Sequence, residues 1–297
     1  MIPLPKTPTE AIALADWIEI TALVARDQSC DRGELEAALQ RAGVFASGSA
    51  LEARILDVFT EIEARQVAAG DGYAFDLSGN NRGVLRLRTQ AYRDCSSYLF
   101  CLCLAYFGER QVRGRTVFAE RVFESICTEA ARRFLAGDAV RIGHPRHATE
   151  IDSPFGKAVD ALCVRLQEGG GFVRRSPRKV QDDGVDIVAW RHENDEMPGK
   201  LVIFGGCASG ADWPDKLKEV DPDTWCDTWL KSPLGSKVLR AFFVPFRLPG
   251  GDAWTDVVRR CGLLFDRCRI SRWARRVPAN PHGDARAWMK AKLQAAA

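Results

Sequence analysis

Apolar residues recur at helical spacing through the first half of the chain. After Thr7-Pro8-Thr9-Glu10, residues Leu14, Trp17, Ile18 and Leu23 share one face, and Asp31 stands as a cap before a second helix around Glu34 to Arg41. Leu51, Ile55, Val58, Phe59 and Ile62 predict a third helix over 50–68, stopped at Ala68-Ala69-Gly70. From Tyr73 to Arg88 apolar and polar residues alternate around Gly79-Asn80-Asn81, the pattern of a hairpin or an extended excursion. Residues 91–107 are apolar enough for a buried helix, and 117–135 form a strongly amphipathic one. Residues 1–140 are thus expected to be a mainly helical module that binds partners or regulates.

Near residue 140 the pattern changes. Pro154 to Gln167 reads as a helix with proline in its first turn, closed by Glu168-Gly169-Gly170-Gly171. Two compact apolar runs, 185–190 (VDIVAW) and 200–207 (KLVIFGGC), joined by a polar turn, read as adjacent strands. A short helix is expected from Asp212 or Trp213, a strand over 238–246, a helix over 254–261 and a last strand over 263–270. This order predicts an α/β domain over 141–297, a mixed central sheet with helices on its faces.

Composition narrows the class. A chain of 297 residues with 46% apolar and 27% charged positions is ordinary for a globular protein and excludes collagen-like or disordered readings. No apolar run nears the roughly 20 residues that span a bilayer, and no basic leader precedes an apolar stretch, so a cytoplasmic protein is expected. The ten cysteines include no CxxC pair and are expected to be reduced and buried; the four histidines do not complete a zinc cluster. The net charge of +3 is uneven: from Lys237 onward there are 13 Lys and Arg against 4 Asp and Glu. Seven arginines lie within 259–276, and six of eight tryptophans lie at or beyond Trp213. Basic residues among aromatics suit a polyanion, while the plainer reading is a solvated helix face with the tryptophans in the core.

Candidate chemistry is concentrated in residues 182–217. Asp186 opens a buried strand directly after Asp183-Gly184-Val185, and a carboxylate at the lip of a sheet needs a cation or a hydrogen-bond donor. The neighbouring strand ends at Gly205-Gly206-Cys207, which brings its last carbonyls beside Asp186. Asp183 and Asp186 can equally cap a turn. Neither a phosphate-binding GxxxxGK[ST] loop nor a GxSxG elbow occurs, and no histidine is placed by sequence to activate Cys207.

A helix, then G-x-D leading a strand, then a hairpin into a second strand ending in a polar tripeptide, then helix and strand, resembles the PD-(D/E)XK, or restriction endonuclease-like, superfamily, and within it the enzymes of bacterial defence systems. The resemblance covers roughly residues 150–270. It implies a metal-dependent endonuclease acting on nucleic acid, DNA in preference to RNA, in anti-phage defence, with Mg²⁺ or Mn²⁺ as cofactor. Asp186 would bind the metal with the Cys207 carbonyl, Asp183 would assist, and Asp160 on the preceding helix would be a further ligand. Arg174, Arg175 and Lys179, just ahead of Asp183, make a basic stretch suited to phosphate contacts, or else a merely solvated loop, and Lys218 is a further candidate for such contacts. Other proteins of a multi-gene system would dock on the N-terminal module, with no membrane involved; an oligomer is compatible with the resemblance.

The tripeptide departs from the family. It falls on Gly206-Cys207-Ala208, with no acid, amide or lysine. Either the missing groups have migrated, with Lys216 reaching back toward the phosphate and Asp183 or Asp212 completing the metal shell, or the site has decayed and the domain binds nucleic acid or a partner protein without cutting.

Overall fold

The structure, a computed structural model, describes residues 2–7, 9–44, 48–78, 83–109, 118–146, 151, 154–175, 183–193 and 195–296. The chain divides into two compact units: Met1–Ala119 with Pro245–Pro249 and Arg267–Ala297, and Glu120–Val244 with Gly250–Asp266. The bounds of these units differ from the expected division at 140. The amphipathic helix over 119–135 belongs with the α/β unit, and the chain beyond Arg267 returns to the helical unit.

In the helical unit, α1 (Ala11–Val24) is followed by β1 (Ser29–Asp31), α2 (Arg32–Arg41), α3 (Ser49–Ala69), β2 (Phe75–Ser78) and β3 (Val84–Leu87). Asp31 caps α2 as its sequence implies: its side chain accepts from the Glu34 amide while Glu34 reaches back to the Asp31 amide. The three strands form an antiparallel sheet in the order β1-β3-β2. The hairpin expected over 73–88 is present as β2 and β3, and Gly79-Asn80-Asn81 lies outside the described residues. The apolar run over 91–107 folds as α4 (Ala91–Asp94) and the buried α5 (Ser96–Phe107). Two helices complete the unit, α10 (Arg267–Trp273) and α11 (Ala279–Ala296).

A charged cluster holds α1, α3 and α10 together. The Arg65 guanidinium, fully buried, donates to Asp16 at 2.7 Å and to Glu61 at 2.8 Å, and pairs with Glu19 at 3.0 Å. Arg267, also fully buried, donates to Asp16, and its guanidinium lies 5.2 Å from the Tyr98 ring centre. Glu19 in turn accepts from the Tyr73 and Tyr98 hydroxyls, both at 2.8 Å. Burial alone would raise the Asp16 carboxyl, but Arg267 and Arg65 outweigh it and hold it below the ordinary carboxylate value.

The other unit is built on a five-stranded sheet in the order β4-β5-β6-β7-β8. It begins with α6 (Ala119–Leu135), whose Val122, Phe123, Ile126 and Cys127 are buried, and continues with β4 (Asp138–Arg141) and α7 (Phe155–Leu166). Then come β5 (Ile187–Trp190), β6 (Val202–Cys207), α8 (Pro222–Trp229), β7 (Leu239–Phe243), α9 (Asp252–Cys261) and β8 (Leu263–Phe265). β4, β5 and β6 run antiparallel, and β6, β7 and β8 run parallel. The mixed sheet flanked by helices is therefore as expected. Val188, Trp190, Val202 and Phe204 join the core formed with Leu162 of α7 and Trp225 and Trp229 of α8.

Four elements differ from the sequence expectation. The helix at Asp212 is only a 3-10 turn, Trp213–Asp215, and the real helix of that connection is α8, capped by Asp221 with proline next. β4 is a strand that local pattern did not announce, and the strand expected over 263–270 stops at Phe265, where α10 takes over. Lys200, at the entry to β6, is buried against Glu168 at 3.8 Å, and the Glu168 carboxylate also accepts from the amides of Gly199, Lys200 and Gly235.

Candidate functional site

The ends of β5 and β6 meet at one lip of the sheet. Ile187 pairs with Gly205, and the Asp186 amide donates to the Gly205 carbonyl at 2.9 Å. The Asp186 carbonyl accepts from the amides of Ile142 and Gly143 just beyond β4, so three strands converge on this residue. Its side chain is half-buried, and Oδ2 accepts from the Cys207 amide at 2.7 Å. Gly143 makes room for it: a Cβ there would stand 2.8 Å from Asp186 Oδ1. The carboxylate thus acts as a cap on the last residue of β6, a charge-assisted bond of the stronger kind.

Opposite Asp186, position 206 has no space for a side chain. A Cβ on Gly206 would lie 2.8 Å from a methyl of Val220, which is itself buried. Cys207 is half-buried. Its thiol neighbours that of Cys127 on α6, and burial together with Cys127 pushes it well above the ordinary thiol value. Asp186 and Glu124 add smaller pushes in the same direction. A thiol so raised is neither a hard-cation ligand nor a nucleophile near neutral pH.

The remaining expected ligands are engaged elsewhere. Asp183 sits at positive φ (55°), followed by Gly184 at 80°, and its Oδ2 accepts from the Trp229 indole at 2.9 Å. Asp160 accepts from the Phe172 amide at 2.8 Å and so ties α7 to the segment that follows it. Lys216 ends the 3-10 turn and pairs with Asp212 at 3.1 Å; that hydrogen bond holds the Asp212 carboxyl below its usual range. Among the described residues, no group of three His, Cys, Asp or Glu side chains could hold a metal ion. The residues present do not fit the Mg²⁺ site that the resemblance implies, because position 206 contributes no ligand side chain and, among the described residues, no second or third ligating side chain joins Asp186.

Two groups at this lip escaped the sequence reading. Glu124 and Cys127 are three residues apart on α6, and Glu124 is paired with Arg141 of β4 at 2.9 Å. Their spacing on a strongly amphipathic helix was the available signal.

The basic residues are dispersed. Arg174, Arg175 and Lys218 are exposed, and Arg175 donates to the Asp227 carbonyl at 2.8 Å; Lys179 lies outside the described residues. The arginine run near the C-terminus is divided between the units, Arg259 and Arg260 in one and Arg267 to Arg276 in the other. Arg267 is buried in the ion cluster, while Arg275 and Arg276 pair with Asp71 and Asp94 at 3.0 and 2.7 Å. Trp225, Trp229 and Trp288 are buried. Arg267 is therefore not part of an exposed basic face. By unit, the sheet domain has 20 Lys and Arg against 23 Asp and Glu, a net −3, and the helical unit 22 against 16, a net +6.

No family model, no curated protein and no solved structure matches the chain. Among the described residues no helix is long and apolar enough to cross a membrane.

Proposed function

We propose that the protein is a nucleic-acid-binding subunit built on a restriction endonuclease-like sheet, one that engages DNA without cutting it. The observation that carries this reading is the pair of facts at the β5–β6 lip: Val220 occupies the space where a ligand side chain at position 206 would begin, and the Asp186 carboxylate caps the Cys207 amide. Exposed Arg174, Arg175 and Lys218 on the sheet unit supply sequence-independent phosphate contacts. A cytoplasmic place and a role in a multi-gene defence system go with this reading.

Duplex binding by fluorescence anisotropy in EDTA tests it. Salt-sensitive binding that weakens in an Arg174→Glu/Arg175→Glu variant is expected. Binding that is absent in EDTA and restored by Mg²⁺ would contradict it.

A second reading, the metal-dependent endonuclease, has one observation in its favour. Asp186 opens β5 beside the end of β6, the place that the resemblance gives to a metal-binding acid, with Lys216 following β6. Metal-dependent nicking lost in Asp186→Ala and Lys216→Ala would establish it.

A further inference from the structure

In the helical unit, α2 and α3 are followed at once by the β2–β3 hairpin. In DNA-binding proteins the second helix of such a pair enters the major groove and presents Arg, Lys, Asn or Gln to bases. The outer face of α3 has a different chemistry. Its core face is filled by Leu51, Ile55, Val58, Ile62 and Arg65, all buried. On the opposite side Leu56 and Val67 are 64% and 77% exposed, eleven residues apart and therefore about 16 Å apart along one stripe. Thr60 and Ala64 lie between them at helical spacing, and Ala53 lies one turn before Leu56, all exposed. Glu52, Asp57 and Glu63 flank the stripe, and Arg54 is turned to Asp57 at 3.3 Å.

We propose that this face of α3 is a docking surface for a basic amphipathic helix of a partner protein. An apolar stripe of alternating spacing takes a partner's apolar seam, and the acidic flank selects Lys and Arg beside it. The same flank excludes the two other occupants. A duplex would meet acids facing its phosphates, and a second copy of α3 would set acid against acid. The net +6 of the unit thus does not extend to the helix that its topology puts forward. This inference is independent of whether the sheet unit cuts nucleic acid.

The test uses the full chain and a fluorescein-labelled synthetic helix of Leu and Lys heptads, beside the same peptide with Glu in place of Lys. The Lys peptide is expected to bind with a Kd below about 100 µM and to weaken as salt rises. Leu56→Asp/Val67→Asp should reduce binding at least tenfold, about 1.4 kcal/mol, with an unchanged melting temperature because both side chains are exposed. The Glu peptide should not bind. Failure of the Lys peptide to bind, equal binding by the variant, duplex binding lost in the same variant, or a dimer of the unmodified chain that the variant dissolves would each overturn the proposal.

Discussion

The carboxylate of Asp186 accepts a 2.7 Å hydrogen bond from the amide of Cys207 and so locks the end of β6 to the start of β5. An amide at a strand end, without a further ladder partner, is costly to leave unmade when it is buried. Asp186→Ala should therefore lower stability by about 1–3 kcal/mol, read as a shift in the urea midpoint at unchanged slope. Asp186→Asn keeps an acceptor oxygen and should recover most of the loss. Equal losses in both variants would show that the hydrogen bond is not what the residue contributes.

Gly206 and Val220 are packed so that any side chain at 206 needs a shift of the valine. Gly206→Ala is expected to cost about 1–3 kcal/mol by overpacking. In combination with Val220→Ala the two effects should be clearly non-additive, with the double variant more stable than the sum predicts. Simple additivity in a double-mutant cycle would refute the contact.

Much of the sheet was legible because β5 and β6 are compact apolar runs, and a buried strand can be read from that alone. α8 carried a readable start, Asp221 then Pro222, but its tryptophans and acids mask the helical period. α10 was misread as strand because Cys268 and Ile270 alternate with arginines. Its first residue, Arg267, is anchored to Asp16, a contact across 251 residues that no local pattern contains. The candidate site was legible only in part for the same reason: Asp186 stands out by position, whereas Val220, Glu124 and Cys127 meet it only through tertiary packing.

The ion cluster of the helical unit should be stabilising only when complete. Arg65→Met would leave Asp16 and Glu19 buried with less compensation, and a loss of about 3–5 kcal/mol is expected in thermal unfolding.

Acid should weaken the same cluster. Burial opposes ionisation of Asp16, yet Arg267 and Arg65 depress its carboxyl in the folded state. Such a group adds stability that is fully present above its unfolded pKa, near 4, and is lost as pH falls through the folded value. Melting temperature should hold steady from about pH 6 to about pH 4 and fall below that. Asp16→Asn should flatten the acid limb; an unchanged limb would assign it to other carboxylates.

Burial raises both thiols of the Cys127–Cys207 pair. Alkylation near pH 8 should be slow for both in the folded protein and fast in urea. Rapid modification of Cys207 under native conditions would show an open, reactive lip.

Plasmid nicking tests the central claim most directly. Supercoiled DNA is incubated with the purified full chain in Mg²⁺, in Mn²⁺ and in EDTA, beside Asp186→Asn. A binding subunit gives no metal-dependent nicking above the variant while retarding the plasmid in a salt-sensitive manner. Nicking that needs the metal and disappears in Asp186→Asn would contradict the account and restore the endonuclease.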